Sequence, residues 1–219
     1  MEQRPIRRTR VKMCGTTRLE DALGAARLGV DALGFIFYPK SPRYISREAV
    51  ASILAKLPPF VARVGVFVDA PLTEVVQTVG TGLSFVQLHG SESPEYCREL
   101  RALLPSCGFL KAFRVSAESS GATFTPYETC VDAFLLDTYM KGAKGGTGEV
   151  FDWSIIDKLK LQRPVILAGG LSPENVAQAI LEVAPYAVDI NSAIELRPGV
   201  KDIRRLQTVM EMVGEADRR

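Results

Sequence analysis

Three late turns of this chain are built from small residues: "GGTG" at 145–148, "AGG" at 168–170 and "NSA" at 191–193. Backbone N–H groups can close on an anion only where side chains stay out of the way, so such turns suit a phosphate. The alternative is that the glycines simply make tight turns. Just ahead of the first turn, the apolar run "AFLLD" ends on Asp137. Alternation puts Asp137 on one face with Leu135 and Ala133, and apolar surroundings favour a protonated carboxyl, as a general acid needs. Asp137 could equally cap a turn or pair with Lys141 or Lys144.

Cys14 closes "VKMCG", with Lys12 two residues back on the same face. A thiol beside a cation ionises more readily, and a thiolate is a base or a nucleophile. The competing picture is a buried structural cysteine, with Lys12 paired to Asp189 on a neighbouring strand. Arg43, in "YPKSPRYIS", follows Pro42 in a loop, where a guanidinium can grip a carboxylate with two parallel hydrogen bonds. It could also be an exposed arginine with no partner. His89 in "QLHG" and Asp69 at the end of "VGVFVD" read as structural strand-end residues.

The elements that must position these groups repeat regularly. Eight short runs rich in Val, Ile, Phe and Leu occur: "RVKMC", "DALGFIF", "ARVGVFV", "FVQLH", "FLKAFRV", "AFLLD", "PVILAG" and "AVDIN". Helical patterns separate them, with apolar residues three and four apart. Residues 18–29 end at Gly29, and residues 46–57 open on Ser46 as N-cap and stop at Pro58 and Pro59. "SPEYCRELRALL" and "SPENVAQAILEV" each open with Ser and Pro, a helix-start signature. The connection over 116–132 is the least regular and predicts a short or poorly formed helix.

About 27 residues per strand–helix unit predicts a (β/α)8 TIM barrel of the α/β class, in a single domain spanning residues 1–219. A doubly wound open sheet would place its glycine-rich turn after the first strand, where this chain has only "CGTTRLED". Barrel chemistry sits at the carboxyl ends of the strands, and a phosphate commonly binds after strands seven and eight. Cys14, Asp137, Gly170 and Ser192 all fall at such ends.

Composition narrows the partners. Apolar residues make up 47% and charged residues 24% of 219, with a formal net charge of +2, so no strong field selects nucleic acid or an anionic membrane. The basic stretch "RPIRRTR" within residues 1–10 reads as a flexible terminus. No apolar run approaches the ~20 residues of a membrane span and no signal-peptide pattern opens the chain, so it reads as cytoplasmic. The single histidine and four cysteines without Cys-x-x-Cys spacing predict no metal site and no disulfide scaffold.

Taken together, these blocks resemble phosphoribosylanthranilate isomerase. "VKMCG", "DALGFIFYPKSPRYIS", "VGVFVD", "FVQLHG", "LLDT", "GGTGEVFDW", "ILAGGLSPENV", "VDINSAIE" and "PGVKD" follow in the order of that family, from about Val11 to Val213. The resemblance implies an aldose–ketose isomerase of tryptophan biosynthesis that performs an Amadori rearrangement on a phosphorylated small molecule. It implies Asp137 as general acid and Cys14 as general base. It assigns Arg43 to the anthranilate carboxylate and the backbone around Gly146, Gly148, Gly170 and Ser192 to the phosphate. No cofactor is implied, and the protein is expected to be a monomer or homodimer.

Two positions depart from the family pattern. Ala193 stands where a glycine is usual after the eighth strand, and Met13 replaces an aliphatic residue on the outward face. A related barrel isomerase of histidine biosynthesis carries an aspartate where this chain has Cys14. A non-catalytic sensor of a phosphorylated sugar would need the phosphate grip but not the pairing of Cys14 with Asp137.

Overall fold

The computed structural model describes residues 8–138 and 152–219. Its eight parallel strands are β1 (Arg10–Met13), β2 (Ala32–Ile36), β3 (Ala62–Phe67), β4 (Phe85–Leu88), β5 (Gly108–Arg114), β6 (Ala133–Asp137), β7 (Val165–Ala168) and β8 (Ala187–Ile190). Each pairs with the next, and β8 returns to β1 with Lys12 opposite Asp189, so the sheet closes as a (β/α)8 TIM barrel.

Period-two alternation sorts the side chains. Val11, Met13, Leu33, Phe35, Phe134, Leu136, Leu167 and Val188 face outward into the apolar layer beneath the helices. Ala133, Leu135, Leu110, Ala112, Ile166, Ala168 and Ala187 pack against one another in a second, inner cluster. Met13 thus lies on the outward face, fully buried, as its strand position predicts. The inner face also carries polar residues on the same alternation, Lys12 below Cys14, Gln87 below His89 and Asp189 below Asn191.

The outer layer holds α1 (Leu19–Arg27), α2 (Arg47–Leu54), α3 (Leu72–Val79), α4 (Pro94–Leu103), α5 (Ser154–Lys158), α6 (Val176–Val183) and α7 (Ile203–Asp217). Ser46 and Ser93 cap α2 and α4 by accepting from the N–H of Ala49 and Tyr96. Residues 116–132 form only two 3-10 turns, Gly121–Thr123 and Thr125–Tyr127, which agrees with the irregular pattern there.

Two elements differ from the sequence expectation. The helix expected to start at Ser172 starts at Val176 instead. Asn175 diverts the first turn: its Oδ1 accepts from Ser172 N at 2.8 Å and its Nδ2 donates to Gly170 O at 3.0 Å. The other is a short hairpin, β9 (Glu195–Arg197) with β10 (Val200–Lys201), in a stretch with no strand-like run. At the amino end β1 is anchored, because Thr9 N and Oγ1 donate to the Asp217 carboxylate at 2.8 and 2.7 Å. The rest of the basic terminus, residues 1–7, lies outside the described residues.

Candidate active site

A cavity of about 410 Å³ opens at the carboxyl ends of the strands, where the barrel places its chemistry. Cys14, Arg43, Asp137, Gly170 and Ser192, five of the seven residues singled out from the sequence, all line it. The other two, Gly146 and Gly148, lie outside the described residues, as do Lys141 and Lys144.

Strand β6 delivers Asp137 as its last residue, above Leu135 and Ala133 on the inner face. The next residue, Thr138, fastens this strand end to the following turn, its hydroxyl donating to Ala168 O at 3.0 Å and Gly169 O at 3.2 Å. There Gly169 and Gly170 turn the chain with φ of +90° and +65°, a left-handed pair that side chains would strain. A Cβ built on Gly170 would meet no atom of the described residues within 4 Å, so among these the space beside it is open. Ser192 begins a 3-10 turn, Ser192–Ile194, that holds Ala193 without a positive φ. An alanine in place of glycine therefore meets no left-handed backbone strain at that position.

Cys14 follows β1 and is 5% exposed. Burial pushes its thiol above the ordinary range, Lys12 pulls it down, and Asp189 pushes it back up. The cation beneath the thiol is already matched, since Lys12 Nζ lies 2.8 Å from Asp189 Oδ1, with side chains 3% and 8% exposed. Both sequence readings of Lys12 hold at once: it is Asp189's partner and Cys14's neighbour. Gly34 on β2 makes this possible, because a Cβ there would fall 2.9 Å from Cys14 Sγ and 3.0 Å from Lys12 Nζ.

The loop after β2 folds back on its own strand, with Ile45 N donating to Ile36 O at 3.0 Å, and so carries Arg43 over the mouth. Arg43 is neither exposed nor unpartnered. Its Nε lies 2.9 and 3.1 Å from the two Glu195 carboxylate oxygens, and its Nη2 donates to Oε2 at 2.6 Å. Glu195, which no sequence motif singles out, does not line the cavity itself but lies behind Arg43 and holds it. Its only sequence signal is its place three residues past Ser192.

His89 also lines the cavity, although its sequence context favoured a structural role. Its Nδ1 lies 2.9 Å from Gln87 Nε2. With the amide as donor, Nδ1 accepts and the ring proton sits on Nε2. Burial holds the imidazole below its ordinary range, with Asp137 pulling the other way, so His89 is neutral near pH 7. Asp69 keeps the structural role: its N–H donates to Glu92 Oε1 at 2.9 Å and its Oδ1 accepts from Ser91 N at 2.6 Å. Arg114 is exposed and does not line the cavity.

A strand-one thiol and a strand-six carboxyl facing one cavity, with small-residue turns after β7 and β8, can supply a base, an acid and an anion grip to one substrate. The family model for N-(5′-phosphoribosyl)anthranilate isomerase matches residues 11–212. The chain belongs to that family. A curated relative named N-(5′-phosphoribosyl)anthranilate isomerase, from Geobacter sp. strain M21, is 52% identical over 209 residues, covering 95% of this chain and 98% of its own. Among solved structures, phosphoribosylanthranilate isomerase from Thermotoga maritima superposes with a TM-score of 0.84 at 42% identity, covering 94% of this chain and 99% of its own. A second isomerase structure, in complex with reduced 1-(o-carboxyphenylamino)-1-deoxyribulose 5-phosphate, gives 0.81 at 40% identity over 94% of this chain and 99% of its own. The isomerase family's barrel is therefore the fold of this chain.

Proposed function

We propose that this protein isomerises N-(5-phosphoribosyl)anthranilate to 1-(2-carboxyphenylamino)-1-deoxyribulose 5-phosphate, with Asp137 as general acid and Cys14 as general base. The observation that carries the reading is that Cys14 and Asp137, from strands on different sides of the mouth, line one cavity with Gly170 and Ser192.

In this reading Asp137 protonates the furanose ring oxygen as the C1′–O bond breaks, leaving a Schiff base. The Cys14 thiolate then takes the proton from C2′ and an enolamine forms. Ketonisation moves the enol hydroxyl proton to C1′, so the product is an isomer of the substrate. A proton passed from the thiol to the Asp137 carboxylate through solvent resets the pair. Because burial raises the Cys14 thiol, the thiolate is the minority form in the free protein near neutral pH. Lys12 and Lys201 both act electrostatically in its favour.

The two anions of the substrate have separate holders. The backbone around Gly170 and Ser192, with Gly146 and Gly148, takes the phosphate, and Arg43 takes the anthranilate carboxylate. That carboxylate meets the guanidinium edge that Glu195 does not use.

The test follows fluorescence loss from freshly made phosphoribosylanthranilate with the purified protein, alongside Asp137→Asn and Cys14→Ser. Rapid loss with the wild type and a drop of ~10²-fold or more in each variant is the expected result. Tight binding of the reduced product without turnover would make the protein a binder rather than an isomerase. Full activity in Cys14→Ser would remove the thiol from the mechanism.

A further inference from the structure

We propose that Glu195, clamped by Lys201, is a positioning residue that aims Arg43 at the carboxylate of the substrate. This rests on the proposed role of Arg43. The two claims separate experimentally.

A guanidinium is planar and presents its donors as a fixed fork, so holding one edge fixes the direction of the other. Glu195 holds the Nε–Nη2 edge of Arg43 with both carboxylate oxygens, at 2.9, 3.1 and 2.6 Å. The Nη1–Nη2 edge is left for a ligand in the cavity that Arg43 lines. Glu195 is itself held. Lys201 Nζ donates to its Oε1 at 2.9 Å, and Gly199 N–H donates to the same oxygen at 3.1 Å. Lys201 also donates to Asn191 Oδ1 at 2.9 Å, at the end of β8 beside Ser192.

The charge count points the same way. Arg43 and Lys201 share one carboxylate, which leaves the triad one positive charge in excess. Lys201 is fully buried, Glu195 4% exposed and Arg43 19% exposed, so the excess charge has access to solvent only at the Arg43 end. Buried ion clusters of this kind contribute little to stability compared with apolar packing of similar volume. An incoming carboxylate on Arg43 neutralises the excess.

The location gives the arrangement a metric use. Only the turn Ser192–Ile194 separates the start of the phosphate-side turn from Glu195. Gly15, with φ of +73°, lets Arg43 and Asn191 approach loop one, because a Cβ there would fall 2.7 Å from Arg43 Cδ and 2.9 Å from Asn191 Oδ1. One short segment therefore sets both the phosphate turn and, through Glu195, the guanidinium. The distance between the substrate's two anions is built into residues 192–195.

The experiment measures calorimetric affinity for two probes: reduced 1-(o-carboxyphenylamino)-1-deoxyribulose 5-phosphate and the matching phenylamino compound that lacks the carboxylate. The proteins are wild type, Arg43→Met and Glu195→Gln. Glu195→Gln is expected to lose roughly tenfold or more in affinity for the carboxylated probe and less than about twofold for the other, with KM rising more than kcat falls. Equal losses for both probes would make Glu195 merely structural and overturn the proposal. Discrimination kept in Glu195→Gln but lost in Arg43→Met would overturn it while leaving the role of Arg43 intact. Discrimination kept in Arg43→Met would overturn the role of Arg43 and this proposal with it. If Glu195→Gln does not fold, Glu195→Leu combined with Lys201→Met replaces the charges by apolar volume. The same selective loss is expected there, and its absence overturns the proposal.

Discussion

Lys12 and Asp189 stand at the same register of neighbouring strands, β1 and β8, and form a buried ion pair 2.8 Å long directly below Cys14. A lysine there favours the thiolate, and Asp189 offsets part of that pull. A matched pair leaves burial as the largest influence, and the thiol sits above its ordinary range. The pair therefore moderates the base rather than switching it fully on.

The pH dependence follows from that sign. Turnover needs the Cys14 thiolate together with a protonated acid, so kcat/KM follows a bell in pH, and the limb set by Cys14 lies on the alkaline side because its thiol is raised. Asp189→Asn removes an anion that disfavours the thiolate and shifts this limb toward neutral pH, whereas Lys12→Met shifts it further alkaline. A pH–rate profile of the three proteins checks both directions, and a limb that ignores both substitutions would dissociate it from Cys14.

Gly34→Ala tests the crowding beneath the thiol. The new methyl would press on Cys14 Sγ at 2.9 Å, Lys12 Nζ at 3.0 Å and the Cys14 Cα at 3.2 Å. Overpacking of this kind costs about 1–3 kcal/mol. We expect a loss of that size in urea denaturation and a fall in kcat beyond what the loss of folded protein explains, because Sγ must move.

Gly170→Ala separates backbone strain from ligand contact. At φ of +65° an alanine costs about 1–2 kcal/mol, yet its Cβ would touch none of the described residues. Thermal melts should show the modest destabilisation. KM should rise at least roughly fivefold if the methyl occupies the space a phosphate needs. An unchanged KM would move the phosphate away from this turn.

Acid stability should report on Glu195. Burial opposes its ionisation, but the hydrogen bonds from Arg43 and Lys201 outweigh it and hold the carboxyl below the 4.5 of a free glutamate. A depressed folded value contributes stability above the unfolded value and loses it as pH falls through the folded one. The wild type should thus lose stability faster than Glu195→Gln below about pH 4.5, measured as denaturation midpoints between pH 6 and pH 3.

Local sequence determined the elements and the faces. Alternation in "AFLLD" and "VKMC" assigns Asp137 and Cys14 to the inner face without reference to the rest of the chain, because side chains on a strand repeat every two residues. Ser46, and Ser93 with Pro94 behind it, carry their own capping chemistry, so α2 and α4 start where the sequence says. The start of α6 does not: Ser172 Oγ accepts from Glu174 N and Asn175 ties its amide to Ser172 and Gly170, yet regular helix begins only at Val176.

What only the tertiary structure decided is who meets whom across the closure of the barrel. Lys12 finds Asp189 from 177 residues away, and Arg43 finds Glu195 from 152. The first pairing is one of two readings the sequence leaves open for Lys12, settled by how β8 registers against β1; the second has no local pattern, because it depends on where the loop after β2 folds back. His89 is the same case: its strand made it an inner residue, but a place in the cavity rather than in the packed interior follows from its height on β4. The sequence by itself determined the candidate acid, base and anion turns. The charges that tune and aim them came from long-range register, which one-dimensional spacing does not encode.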